Sequence, residues 1–356
     1  MSTPPASVSP TTGFVIAAVA GAIFVALLAA RAAHRAARER DRGRTAELFR
    51  LFAARLAGSV PDEDLRTAAR ETTAEYFWAA MEALAGSLRQ RERVALSRSL
   101  GRNPHAIAER RILTERNSDD RRERAARRLG LLPSARSRRA LRKALFAGPE
   151  SVRFAAARSL AAHRDMRALA WLLTHPRALA GRPQPALSGL LRAFGPRGRA
   201  ILITALDRGI GVSRVECATL DALGVSRCRS ARAAIEARLN SSHPEIRIAA
   251  ARSLGRLGMG ESIPALMVSL ADTAWPVRAQ AARSLGRLRA APAVEALALC
   301  VADPSWWVRR HAAYALAILG AEGRDALCEL VARSSDPYAR EMAREALDRG
   351  VLRLTA

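Results

Sequence analysis

Four stretches near the C-terminal end read as copies of one helix: IRIAAARSLGRLG (246–258), VRAQAARSLGRLR (277–289), VRRHAAYALAILG (308–320) and AREMAREALDRG (339–350). Each carries a leucine at the same place, Leu254, Leu285, Leu316 and Leu347, so the interval is 31 residues. An apolar residue followed by arginine opens each copy, at Arg247, Arg278, Arg309 and Arg340, with Ala339 the weakest apolar version. A fixed period of this length is the signature of a helical solenoid, which presents an extended surface rather than a single catalytic pocket.

Working backwards, Leu223, Phe194, Leu160, Leu129 and Leu100 hold the same place. The intervals read forwards from Leu100 are 29, 31, 34, 29, 31, 31, 31 and 31. Shorter apolar helices lie between the copies, at 199–207, 231–239, 262–271, 292–302 and 323–333, so each repeat is a two-helix hairpin. Within one copy Val277, Ala281, Leu285 and Leu288 make a single apolar stripe. Its alanines allow neighbouring helices to approach closely. Gly255, Gly286 and Gly320 suit the left-handed residue that ends a helix. Pro244, Pro276, Pro304 and Pro337 lie at or just before the next helix start, where a missing N–H costs little.

The pattern D-x(n)-VR-x-x-A-A-x-x-L-G resembles HEAT-like repeats of the type first described in phycobilisome lyases. The resemblance covers about 90–350 and is most specific over 240–350. It implies an all-α fold, a right-handed α-solenoid, and usually a scaffold or adaptor role. Some members of the family are bilin lyases and some distant ones act on DNA, but their functional residues have no counterparts that can be placed on this chain. Residues 45–90 depart from the pattern. The helix AELFRLFAARLA and the longer DEDLRTAARETTAEYFWAAMEALAGSL are amphipathic and read as a cap or adaptor ahead of a repeat array over 91–356.

Residues 13–30, GFVIAAVAGAIFVALLAA, contain no charge. At 18 residues the run meets the lower limit for a membrane-spanning helix. Arg31 can snorkel and Ala32–Ala33 lengthen the span, giving a transmembrane helix over 13–33. An uncharged tail (1–12) precedes it, and a basic linker (34–44) with Arg35, Arg38, Arg40, Arg42 and Arg44 follows. That asymmetry predicts a single-pass protein of the cytoplasmic membrane, N-terminus outside and repeats in the cytoplasm. The alternative is a cleaved signal peptide; it lacks a basic start, and the arginines after Ala30-Arg31-Ala32 oppose export. Gly13, Ala17 and Gly21 form a four-residue ridge of small residues, a packing face or simply the alanine excess.

The net charge is +25, from 58 basic against 33 acidic residues, and Lys143 is the only lysine. Such a balance points to nucleic acid or an anionic membrane surface, with 31–44 a lipid contact; the arginine excess also reads as compositional bias. The stretch 110–143 is basic with leucines at helical spacing, open to lipid, nucleic acid or solvent. Arg247, Arg278, Arg309 and Arg340, with Asp272, Asp303 and Asp336, are expected to bridge adjacent repeats as a structural ladder. Arg252, Arg256, Arg283 and Arg287 form a second row away from the apolar stripe. Either they are a solvated face or, lining a concave groove, they bind phosphate or acidic side chains. Trp275, Trp306, Trp307 and Tyr338 stand at or next to equivalent positions, as staples before a helix or as a partner-binding ridge.

Chemistry-bearing motifs are lacking. Cys217, Cys228, Cys300 and Cys328 show no C-x-x-C and read as buried thiols inside repeat helices. The six histidines show no paired-ligand spacing, and neither a P-loop nor G-x-S-x-G occurs. The sequence therefore calls for no cofactor, metal or catalytic residue. Its reading is a membrane-anchored scaffold with an unknown, membrane-associated protein partner. The alternative is a binder of nucleic acid or anionic membrane through the arginine rows.

Overall fold

The computed structural model describes residues 43–115 and 117–354, with the backbone alone from 350 onward. The tail, the span 13–33, the Gly13–Ala17–Gly21 ridge and all but the last two residues of the linker lie outside the described residues. Within those described, every regular element is helical, and no helix is long and apolar enough to cross a membrane.

The chain divides into two units. The first comprises residues up to Asn117 together with Leu131–Ser137. It holds α1 (43–56), α2 (Asp62–Glu71), α3 (Ala74–Ala85), α4 (Gln90–Leu100) and α5 (Pro104–Thr114). The long amphipathic run expected after residue 60 is two helices, not one. Thr72 and Thr73 both take extended backbone, favoured by β-branching, and Thr72 Oγ1 donates to Ala68 O (2.8 Å), closing α2. His105 Nε2 lies 2.8 Å from Thr72 O and pins α5 to the break. The core is aromatic: Phe77 stands edge-on to Phe52 (6.2 Å) and Trp78 (4.9 Å), all three buried with Leu65, Met81, Leu96 and Leu100. Thus α4 and α5, read from the sequence as the first repeat, share the core of the preceding segment, and the unit ends beyond residue 90.

The second unit comprises Ser118–Gly130 and Arg138–Ala356. It contains α6 (Asp119–Gly130), most of α7 (Ala135–Ala147), then α8 (Glu150–Ala162), α9 (Met166–Thr174), α10 (Gln184–Ala193), α11 (Pro196–Arg208), α12 (Ser213–Val225), α13 (Arg232–Glu236), α14 (Pro244–Leu257), α15 (Ile263–Val268), α16 (Trp275–Leu288), α17 (Val294–Cys300), α18 (Trp306–Ile318), α19 (Ala321–Arg333) and α20 (Pro337–Leu354). Helices α6, α8, α10, α12, α14, α16, α18 and α20 pack each on the next, and they carry the periodic residues. Leu129, Leu160, Phe194, Leu223, Leu254, Leu285 and Leu316 are all fully buried, because each faces both its own hairpin and the neighbour. Several first helices of the hairpins are short: α13 and α15 are flanked by 3₁₀ segments on both sides and α17 is preceded by one.

Gly255 and Gly286 do not end helices. They sit inside α14 and α16, where a Cβ would meet Ser284 Cα at 3.0 Å and Ala315 Cα at 2.9 Å. The same seam joins Gly130 to Ser159 and Gly224 to Ser253. Ser159 Oγ donates to Ala126 O (2.8 Å) and Ser284 Oγ to Ala251 O (2.9 Å), so the close approach is hydrogen-bonded across helices. The left-handed position lies four residues after the periodic leucine, at Arg164, Arg227, Gly258 and Arg289, where φ is 53°, 46°, 76° and 52°. Gly320 holds the corresponding place with φ 87°.

Candidate functional site

The edge arginines form a bridge between repeats, with a longer reach than their spacing suggests. Arg247 donates through Nε and Nη2 to both carboxylate oxygens of Asp272 (2.7 and 2.8 Å), 25 residues ahead. Its Nη1 donates to Ser241 O (2.8 Å) in its own loop. Arg278 repeats the arrangement on Asp303 (2.7 and 2.9 Å) and Asp272 O (2.8 Å). Each aspartate also accepts the N–H two residues on, Ala274 and Ser305, at 2.8 Å. Burial alone raises the Asp272 and Asp303 carboxyls, but the arginine and backbone hydrogen bonds outweigh it and hold both below the usual carboxylate range.

The ladder then stops. Ser334 stands where the next aspartate would be, so Arg309 has no carboxylate to meet. It keeps Asp303 O (3.0 Å), lays its guanidinium over Tyr338 (5.3 Å) and leaves Nε without a hydrogen-bond partner. Asp336, expected as a rung, instead accepts the Tyr338 N–H (2.9 Å) at the start of α20. Arg340 is exposed and has no partner among the described residues.

The second row is split. Asp221, on α12, receives Arg252 through two bonds (2.9 and 3.0 Å), Arg256 (2.9 Å) and the Gln184 amide (2.6 Å). Arg252 and Arg256 are therefore claimed within the fold. Arg283 and Arg287 are exposed, with no partner among the described residues. Along the 31-residue register this row reads Asp221, Arg252, Arg283, Tyr314, Glu345. At its far end Glu345 accepts the Tyr314 hydroxyl (2.9 Å) and pairs with Arg310 (3.4 Å) and Arg349 (3.2 Å).

The aromatic residues converge only on α18. Trp306 and Trp307 are roughly half exposed and pack edge to face at 4.8 Å. Arg310 lies over Trp306 (5.2 Å) and Tyr314 (4.8 Å), and Trp307 stacks toward His311 (6.5 Å). These contacts continue into a cavity of about 320 Å³ lined by Arg283, Gly286, His311, Tyr314, Ile318 and Arg349. Burial, then the charges of Arg283 and Arg310, push the His311 imidazole below its ordinary value, so it is neutral at pH 7. The face thus offers two indoles, a neutral imidazole, an exposed Ile318 and two uncompensated guanidinium groups. Trp275, though exposed, makes no ring contact among the described residues, and Tyr338 belongs to the edge.

Sequence reading missed Arg310, His311, Tyr314, Glu345 and Arg349. Their signal was present: Arg310 and Tyr314 follow Trp306 by one and two helical turns, and Tyr314 and Glu345 continue the Arg283 register. It also placed all four cysteines inside helices as buried thiols. Cys217 and Cys228 are buried, Cys300 is half-buried and Cys328 exposed, and Cys228 lies in the turn after α12. Burial pushes the Cys217 thiol up to about 12 and the Cys300 thiol to about 11, leaving both protonated at neutral pH. Among the described residues no group of three or more His, Cys, Asp or Glu side chains is placed to hold a metal ion.

Comparison with known proteins gives one family. The model for HEAT repeats matches residues 213–277 and 263–348. No curated protein matches the chain. Among solved structures, an engineered protein from a structural genomics consortium is 20% identical, with 85% of this chain and 98% of that one covered and a TM-score of 0.38. A Kap121p mutant is 12% identical, with 86% of this chain and 41% of that chain covered, at a TM-score of 0.49. The complex of CpcE and CpcF of phycocyanin lyase from Nostoc sp. PCC7120 is 21% identical, with 82% and 94% covered, at 0.25. Over residues 213–348, then, this chain is similar to HEAT repeats.

Proposed function

We propose that the protein is a membrane-tethered scaffold whose repeats seat an acidic, apolar-anchored segment of a protein partner on the face of α16, α18 and α20. One observation carries the reading: Arg283 and Arg287 of α16 meet no acid among the described residues, while the half-exposed Trp306–Trp307 pair opens α18, the helix packed on α16, and reaches through His311 toward the cavity that Arg283 lines. Trp and Arg are the residues that anchor interfaces, and a guanidinium without an internal acid is free to take a partner carboxylate. The role is binding rather than catalysis. The tether is the uncharged run 13–30 followed by arginines, which places the repeats on the cytoplasmic side. A nucleic-acid role draws less support, because Asp221 already occupies Arg252 and Arg256 and only half of the row is left for phosphate.

The test is crosslinked capture of the full chain from native membranes, with nuclease treatment and a salt series, beside the variants W306A/W307A and R283Q/R287Q. The reading expects a stoichiometric protein that survives nuclease and is lost with either variant. Capture of nucleic acid or lipid alone, or of a protein indifferent to both variants, overturns it. Release of the chain from membranes by alkaline carbonate would remove the tether.

A further inference from the structure

The first unit contains a cavity of about 640 Å³ that nothing above uses. It is lined by Arg66 and Arg70 of α2, Arg98 of α4, Arg102 just beyond it, and Arg136 at the start of α7. Among the described residues no acidic side chain lines it. Arg66 has a partner: Asp62 lies 3.6 Å away and Ser99 O accepts its Nε at 3.2 Å. Arg70, Arg98, Arg102 and Arg136 are exposed and meet no acid among the described residues. Nearby, burial and then the charge of Arg136 lower the half-buried Arg110 guanidinium.

This arrangement runs against ordinary stability. Arg66 and Arg70, and Arg98 and Arg102, are like charges four apart, an unfavourable spacing even on one helix, and here both pairs face one cavity. A surface arginine excess would spread charge; it would not converge five guanidinium groups on one concavity and leave four of them without an acid among the described residues. In the second unit the conserved geometry of the hairpins gives Arg247, Arg252, Arg256 and Arg278 internal acids. Four unneutralised forks on one concavity fit a ligand that carries its own compact negative charge, because guanidinium matches phosphate oxygens two at a time. The volume admits a small molecule or head group. It does not suit an extended polymer, whose charges would be spaced along a groove rather than gathered.

We propose that this cavity binds a compact ligand bearing two or more phosphate groups, either free in solution or as the head group of a lipid.

The experiment uses the full-length chain in detergent. Inorganic tripolyphosphate is titrated calorimetrically at physiological ionic strength into the natural protein and into R70Q/R136Q, R98Q/R102Q and R197Q/R208Q, the last pair being exposed arginines of α11. Saturable binding is expected, weakened roughly tenfold or more by each of the first two variants and unchanged by the third, which removes equal charge elsewhere. Because the arginines are uncompensated, the first two variants should also unfold at a higher temperature than the natural chain when no ligand is present. Absence of tripolyphosphate binding, or equal weakening by all three variants, overturns the proposal, as does binding of a single-stranded oligonucleotide that tripolyphosphate cannot displace. The source is then read from reconstitution with phosphatidylcholine vesicles with or without cardiolipin. Protection of the chain by cardiolipin that R98Q/R102Q abolishes assigns the lipid head group; tripolyphosphate binding without it assigns a soluble ligand.

Discussion

Two arginine series run along the repeats at the same 31-residue interval, and on α16 the fold treats their members oppositely. Arg247 and Arg278 are each gripped by an aspartate of the next hairpin and a carbonyl of their own loop. Arg283 and Arg287, on the same helix as Arg278, touch no acid among the described residues. The period fixes where a side chain stands. Whether it is structural depends on what stands one repeat away: Asp303 for Arg278, Tyr314 for Arg283.

The comparison is broken most severely by removing one acid. Asp303→Ala strands Arg278 at a largely buried edge and deletes the cap on Ser305; a loss of about 4 kcal/mol is expected in urea unfolding. A loss below about 1 kcal/mol would make the edge as dispensable as an exposed salt bridge. The second effect is a loss of stability on acidification. His163, buried against Gly130 O (3.0 Å), is pushed down to about 4 by burial. Its folded value lies below its unfolded one, so the unfolded chain binds the extra proton. Stability is therefore full above about 6.5 and falls by roughly 3 kcal/mol as pH drops toward 4. His163→Gln should flatten that window and expose the later edge transition below 3.8, where Asp272 and Asp303 take up protons. A slope that persists in the variant would assign it elsewhere.

Smaller changes sharpen the contrast. Ser334→Asp supplies the missing rung to Arg309, and its carboxylate can accept the Asp336 N–H that Ser334 Oγ now accepts (3.3 Å); a gain of about 1 kcal/mol is expected, and none would mean the ladder ends for another reason. Arg289→Gly relieves a left-handed arginine where the preceding repeat has Gly258, worth about 0.5–1 kcal/mol in melting. Arg283→Gln with Arg287→Gln should leave stability within about 0.5 kcal/mol, in contrast to their effect on partner capture.

Most of the fold was legible because burial leaves a periodic mark. All nine leucine-type positions fall in or immediately after a helix, and the hairpin partners lie where the apolar runs are. The edge ladder was legible in its members but not its register: a guanidinium reaches the next loop, and sequence spacing cannot say which of two aspartates it meets. Asp336 was misread for that reason, since it lies two residues past the periodic place. The glycine in Ser-Leu-Gly was read as a stop, yet its function is closeness to a neighbouring helix, a tertiary fact with no local signature. The arginine cavity was invisible because its members come from three separate segments. The split of the second row was hidden likewise: Asp221 stands at the register place 31 residues before Arg252, but which side chains meet across repeats is a tertiary fact.

The small-residue seam has a mechanical consequence. From Gly255 to Ser284 the helices are backbone-close and hydrogen-bonded; from Gly286 to Ala315 the hydroxyl is gone; at the next step residue 317 is alanine, and the cleft opens there, lined by Ala317 and Ala346. The joints are thus graded, close and hydrogen-bonded in the middle of the array and most open at the last. A segment wedged into that cleft would spread the terminal hairpin alone, so the strain of docking stays in one joint while the rest holds its pitch.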